Sequence, residues 1–366
     1  MNRTFWSSFP LKAGNKWLNL LLLLVPAALV LHFLHASPLL VFFVAALGII
    51  PLAGVLGEAT GALAAHSGPA VGGLLNATLG NATELIIAIF AVRAGHINVV
   101  KASLSGSIMG NLLLVLGASI VAGGVKRETL RFSRANASMN STMLMIAAAA
   151  LVMPAVFALT TFGDLQHHAS APLEHISIWS SVVLILLYVA NMVFIFKTHS
   201  HVFHQALEEE KPEMSYRQAL LSLITATALI AWLSEILVGN IEAVTHSIGM
   251  TELFIGVIVV ALVGNAAEHS TAVMMALQDK MDVAITIAAG SSTQIALFVA
   301  PVLVFLSLAM GHPMTLLFNG FEIAGIVLSV LILAMISSDG ETHWFEGAEL
   351  LALYAIIGVA FYFVPE

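Results

Sequence analysis

Two carboxylates, Glu84 and Glu268, sit inside apolar stretches, each closing a near-copy of one pentapeptide: Gly80-Asn81-Ala82-Thr83-Glu84 and Gly264-Asn265-Ala266-Ala267-Glu268. The copies lie 264 − 80 = 184 positions apart, and Gly106-Ser107 recurs as Gly290-Ser291 at the same offset. A charged side chain at the centre of a bilayer costs about 3 kcal/mol or more, so an acid there is a functional candidate by default. Two such acids in corresponding places of a duplicated chain point to a cation site shared by the two halves.

On a helix, Glu268 lies three residues from Asn265 and four from Gly264, so the three share a face, as do Glu84, Asn81 and Gly80. The glycines permit local unwinding, which frees carbonyl oxygens to join the carboxylate and amide oxygens; such backbone is tolerated at membrane depth where it is buried or lines a polar cavity. Asn76, Thr78 and Thr83 add further oxygens around the first motif. A donor set made of oxygen suits a hard cation such as calcium, with other divalent cations open. His269 follows Glu268 and faces away from it, which suits a supporting or packing role; Leu85 is its counterpart. The plainer alternative is that both acids pin helices together, which neutral Gln or Ser would do at lower cost.

Other polar residues flank the motifs. Glu58 and Glu235 stand in the apolar stretches before each motif and suit a proton path or gate. The fixed offset pairs Glu58 with Glu242, but Glu235 sits deeper in its stretch. Gly106 and Gly290 allow close helix approach. Ser107, Asn111, Ser291 and Gln294 can add neutral oxygens. The sequons at Asn76 and Asn81 fall inside an apolar stretch and are spurious.

The elements carrying these residues are membrane helices. Of 366 residues 59% are hydrophobic and 9% charged, the mean hydropathy is +0.98, and soluble domains carry about 25% charged residues. The 13 Lys and Arg, against a net charge of −8, are too scattered for nucleic acid. Without cysteine there is neither a disulfide nor a thiolate metal site. Apolar stretches long enough to cross roughly 30 Å predict an all-α integral membrane protein of about eleven transmembrane helices, near 18–36, 39–65, 70–92, 99–122, 139–160, 175–196, 217–245, 251–277, 283–309, 314–336 and 346–364. Pro51, Gly54 and Gly57 predict a break or kink in the second.

The duplication predicts an N-terminal helix (1–37), a five-helix repeat (38–197), an acidic, histidine-containing cytoplasmic linker (198–216) and a second five-helix repeat (217–366). Five helices per repeat make the two copies inverted in topology. A signal-peptide reading of the first helix is disfavoured by its long apolar run and the lack of a clean cleavage site. His199, His201, His204 and Glu208 to Glu210 in the linker give a solvated connector, or alternatively a regulatory zinc site. Eleven spans put most Lys and Arg on the N-terminal side and only Arg93 and Lys101 opposite, which predicts a cytoplasmic N terminus, an outer C terminus and the cell inner membrane.

The two motifs and the Gly-Ser segments, with Ser234-Glu235 and the acidic linker, resemble the calcium/proton antiporters, the cation/proton exchanger branch of the calcium:cation antiporter superfamily. The resemblance implies eleven helices in two inverted repeats and a site between the third and eighth spans, with Glu84 and Glu268 as central ligands beside Asn81 and Asn265. It implies transport of Ca2+ out of the cytoplasm against protons, with the lipid bilayer as its setting and no cofactor. Sodium-coupled relatives place further carboxylates after each motif; 106–111 and 290–295 contain none, which favours protons over sodium or potassium coupling. A channel fits less well, since channels are usually rings of subunits. A metalloenzyme lacks a ligand motif such as His-Glu-x-x-His.

Overall fold

The computed structural model describes residues 16–165, 170–198 and 214–364. The chain is built of helices: α1 Asn19–Phe33, α2 Pro38–Ser67, α3 Pro69–Leu79, α4 Ala82–Arg93, α5 Ile97–Gly124, α6 Arg134–Thr161, α7 Ala171–Thr198, α8 Tyr216–Val238, α9 Ile241–Ile248, α10 Glu252–Gly264, α11 Ala266–Leu277, α12 Met281–Ala309, α13 Gly320–Ile336 and α14 Trp344–Phe363. Seven of them are long and apolar enough to cross a membrane, or eight if α9 and α10 form one broken span. The expected apolar stretches are all helical, but several are interrupted. The stretch 70–92 breaks at Gly80-Asn81 and 251–277 at Asn265, leaving pieces too short to qualify alone, whereas 217–245 breaks at Gly239-Asn240 and its first piece, Tyr216–Val238, still qualifies. The stretch expected at 314–336 becomes helical only at Gly320, where Asn319 and Glu322 form a capping box. Of the break or kink expected near Pro51, no break occurs, since α2 runs as helix through it. The linker histidines and acids fall outside the described residues.

Two compact units form, Met1–Phe90 with Asn191–Ile248 and Ala91–Ala190 with Gly249–Glu366, so each draws on both sequence halves. In the first, α2 packs along α8, where a Cβ at Gly48 would lie 3.1 Å from Leu233, and Phe33 at the end of α1 meets Trp232 of α8 edge to face at 6.3 Å. Gly68, at φ 77°, turns the chain between α2 and α3 in a conformation glycine adopts without strain, and Pro69 starts the next helix. His66 Nε2 lies 2.9 Å from the Met214 carbonyl oxygen.

In the second unit α5 is the buried axis, and its residues from Val99 to Met109 are all buried. Three contacts clip loops at one end: the two-residue strands β1 (Leu130–Arg131) and β2 (Glu341–Thr342) pair antiparallel, Arg127 Nε meets Asp279 at 3.2 Å, and the Ser133 N–H donates to Asp282. At the other end His96 meets Glu252 at 2.8 Å, and Lys101 donates to the Leu317 carbonyl at 2.9 Å. Loops that alternate along the chain thus gather at opposite ends of the unit. The short sheet was not foreseen, because two-residue strands leave no periodic pattern.

Candidate functional site

Both motifs break a helix just before the acid. After Gly80-Asn81 the chain restarts as the 12-residue α4, with Glu84 its third residue; after Asn265 it restarts as the 12-residue α11, with Glu268 its third. The offset of 184 holds to the residue for both ends of these helices and for the starts of α5 and α12, at Ile97 and Met281. The first turn of a helix presents unpaired N–H groups and the positive end of its dipole, so each carboxylate stands where negative charge is favoured. Glu84, Asn81 and Thr83 are buried, and Glu268 is half-buried. Asn76 is exposed and Thr78 turns back to the Leu74 carbonyl.

Around the second motif the polar side chains form a network inside one unit. Asn265 is fully buried at the break, at φ −91° and ψ 11°. Its Nδ2 donates to Ser107 Oγ at 2.8 Å and to the Ala261 carbonyl at 2.8 Å. Asn111 Nδ2 donates to Asn265 Oδ1 at 3.0 Å and to Ser291 Oγ at 3.1 Å. The buried Oδ1 of Asn111 has no hydrogen-bond partner among the described residues, and neither does His269 Nε2. Buried polar atoms are rarely left unpaired. The network therefore joins α5, α12 and the break between α10 and α11 around one buried amide oxygen still able to accept.

The matched glycines have unlike surroundings. A Cβ at Gly106 would lie 2.2 Å from the Val257 carbonyl oxygen, and one at Gly256 would lie 2.4 Å from Ala102, so α5 and α10 touch backbone to backbone there. A Cβ at Gly290 would meet no atom of the described residues within 4 Å. Close packing, anticipated for both, is therefore absent at Gly290. Just beyond, both helices widen into π-helical turns, Gly110–Val115 in α5 and Ile295–Val299 in α12. Such turns concentrate at functional sites. Gln294 is half-buried at the start of the second.

Glu58 and Glu235 are exposed in the other unit. Glu235 lines a cleft of about 440 Å³ with His32, His35 and Asn240. Among the described residues no group of three His, Asp or Glu side chains could hold a metal ion.

Sequence reasoning passed over Glu322 and took Lys101 for a loop cation. Both are buried in α13 and α5. The Asn319-x-x-Glu322 capping signature was the available signal for the first; Lys101, flanked by apolar residues on both sides, gave one for the second.

Comparison with known proteins decides the family. Residues 37–197 and 218–363 match the sodium/calcium exchanger protein family. The chain belongs to that family. The Ca(2+)/H(+) antiporter of Aphanothece halophytica is 43% identical over 363 residues, spanning 94% of this chain and 96% of that protein. The Ca(2+)/H(+) antiporter ChaA of Bacillus subtilis is 44% identical over 344 residues, 92% of this chain and 96% of that one. A solved structure of native YfkE superposes with a TM-score of 0.83 at 41% identity, covering 95% of this chain and 100% of that one. This family member is thus a membrane transporter whose relatives include Ca2+/H+ antiporters, as its paired motifs had suggested.

Proposed function

We propose that this family member is a secondary active transporter exchanging cytoplasmic Ca2+ for external protons by alternating access. The observation that carries this reading is the matched pair of helix breaks, each followed by a 12-residue helix with an acid in its first turn. Glu84 and Glu268 are the carboxylates for which Ca2+ and protons compete, with Asn81 and Asn265 beside them in the same motifs. Two carboxylates in a low-dielectric site cannot both stay ionised when empty. Calcium compensates their charge, protons compensate it instead, and the protein changes its facing only with one or the other bound. Ser107, Ser291 and Gln294 supply neutral polar groups; Glu58 and Glu235 lie on the route of the ions.

Counting each interrupted pair, α3 with α4, α8 with α9 and α10 with α11, as one span gives eleven spans. After α1 these form two inverted five-helix repeats, 38–197 and 217–366. The orientation rests on charge. Lys126, Arg127, Arg131, Arg134 and Lys280 lie at the clipped end of the second unit. The other end has Arg93, and Lys101 is buried there rather than in a loop. Basic loops stay in the cytoplasm, so the clipped end faces inward and the protein resides in the cell inner membrane. The homologous antiporters support Ca2+ and H+ as the ions.

In sodium-free proteoliposomes holding a trapped pH dye, added Ca2+ should drive proton exit from an acid interior. A dye response that needs sodium or potassium instead would move the protein to the coupled alternatives.

A further inference from the structure

The exchange site is built on one face of α5, and the opposite face carries a second polar cluster with no part in that chemistry. Lys101, Ser105 and Met109 recur every four residues and form one stripe. Lys101 Nζ donates to the Leu317 carbonyl at 2.9 Å and to Thr315 Oγ1 at 3.4 Å. Ser105 Oγ donates to Glu322 Oε1 at 2.9 Å, while Glu322 Oε2 accepts the Asn319 N–H at 2.9 Å. Met109 fills the notch at Gly325, where a Cβ would come within 2.1 Å of its sulfur. Lys101 and Glu322 are buried to 6% and 3% exposure.

Ser107 lies two residues beyond Ser105, about 200° further round the helix. The stripe gripped by the 315–325 segment is therefore nearly opposite the Ser107 and Asn111 stripe that bonds Asn265 and Ser291. A helix held by directional bonds on two opposite faces has neither rotation nor axial shift left free. Charged groups this deeply buried in the protein are costly, and apolar packing would hold two helices at lower cost. What the charged grip adds is directional placement.

We propose that Lys101 and Glu322 are positioning residues for ion binding. Their grip on the segment before and at the start of α13 sets the rotation and depth of α5, and thereby places Ser107 and Asn111 against Asn265. The proposal rests on the calcium/proton reading of the site.

The test compares Ca2+ uptake by wild type, Lys101→Met, Lys101→Arg and the double variant Lys101→Met/Glu322→Gln in acid-loaded, sodium-free proteoliposomes, with the melting temperature of each. Lys101→Met should raise the KM for Ca2+ about tenfold, the effect of one badly placed hydrogen bond, with kcat within about threefold of wild type. Lys101→Arg, which keeps a cationic donor, should restore KM. If Lys101→Met fails to fold, the double variant, in which no charge is left uncompensated, should show the raised KM. An unchanged KM in the folded variants, with or without a lower melting temperature, would show a structural role and overturn the proposal while leaving the exchange reading intact. Absence of exchange in wild type would overturn that reading, and the proposal with it.

Discussion

At the scale of single residues, the account turns on oxygen atoms and how each is held. Glu84→Gln and Glu268→Gln keep the size of the side chain and remove the charge for which calcium and protons compete. Each should abolish exchange while the protein still folds, measured as isotope uptake beside gel filtration. Protons competing for the same carboxylates should also make the apparent KM for Ca2+ rise as the pH on both sides falls together. Uptake whose KM ignores pH would contradict shared carboxylates. Asn265 is a different case, since its amide pairs with Ser107 and Asn111. Asn265→Ala leaves those buried groups unpaired, at about 1–3 kcal/mol, and should raise KM by roughly tenfold or more. The acids and amides were legible in the sequence because polar residues inside apolar stretches stand out. Their bonding was not, since Asn111 and Asn265 lie 154 positions apart. Lys101 misled because a lone cation in a hydropathy pattern reads as the edge of a loop, whereas here its ammonium is satisfied by a carbonyl and a hydroxyl brought from residues 315–317.

At the scale of elements, glycines that match in sequence should differ in tolerance. Gly106→Ala would drive a methyl into the Val257 carbonyl, where α5 and α10 touch. Overpacking of this kind costs about 1–3 kcal/mol, and a drop in melting temperature should report it. Gly290→Ala meets no neighbour within 4 Å among the described residues. It should be neutral, or stabilising by about 0.4–1 kcal/mol through the less flexible unfolded chain. Equal melting temperatures for the two variants would show that the close approach does not matter. The starts of α5 and α12 and the breaks before α4 and α11 repeat at the offset of the motifs, so this much of the architecture could be read from spacing alone. The late start of α13 could not, because residues 314–318 are apolar apart from Thr315 and continue into the apolar stretch, and the capping box at Asn319 and Glu322 decides the boundary. The π-helical turns are equally hidden. Only Pro301, which lacks the N–H for a regular helical bond just after Ile295–Val299, hints at one of them.

At the scale of the whole molecule, the chain has no cysteine, so a single introduced cysteine reports sidedness without background. Lys126→Cys at the clipped end of the second unit should react with an impermeant thiol reagent from the cytoplasmic side. His312→Cys, beyond α12 at the other end, should react from outside. Labelling of both from one side would undo the assignment of loops to opposite ends. The central claim, however, is exchange of calcium for protons through the paired acids, and it is tested most directly by calcium-45 uptake into sodium-free proteoliposomes. Wild type should accumulate calcium in proportion to an imposed acid-inside gradient and lose uptake when the gradient is collapsed, and Glu268→Gln should show none. Uptake indifferent to the pH gradient, or undiminished in Glu268→Gln, would contradict the account.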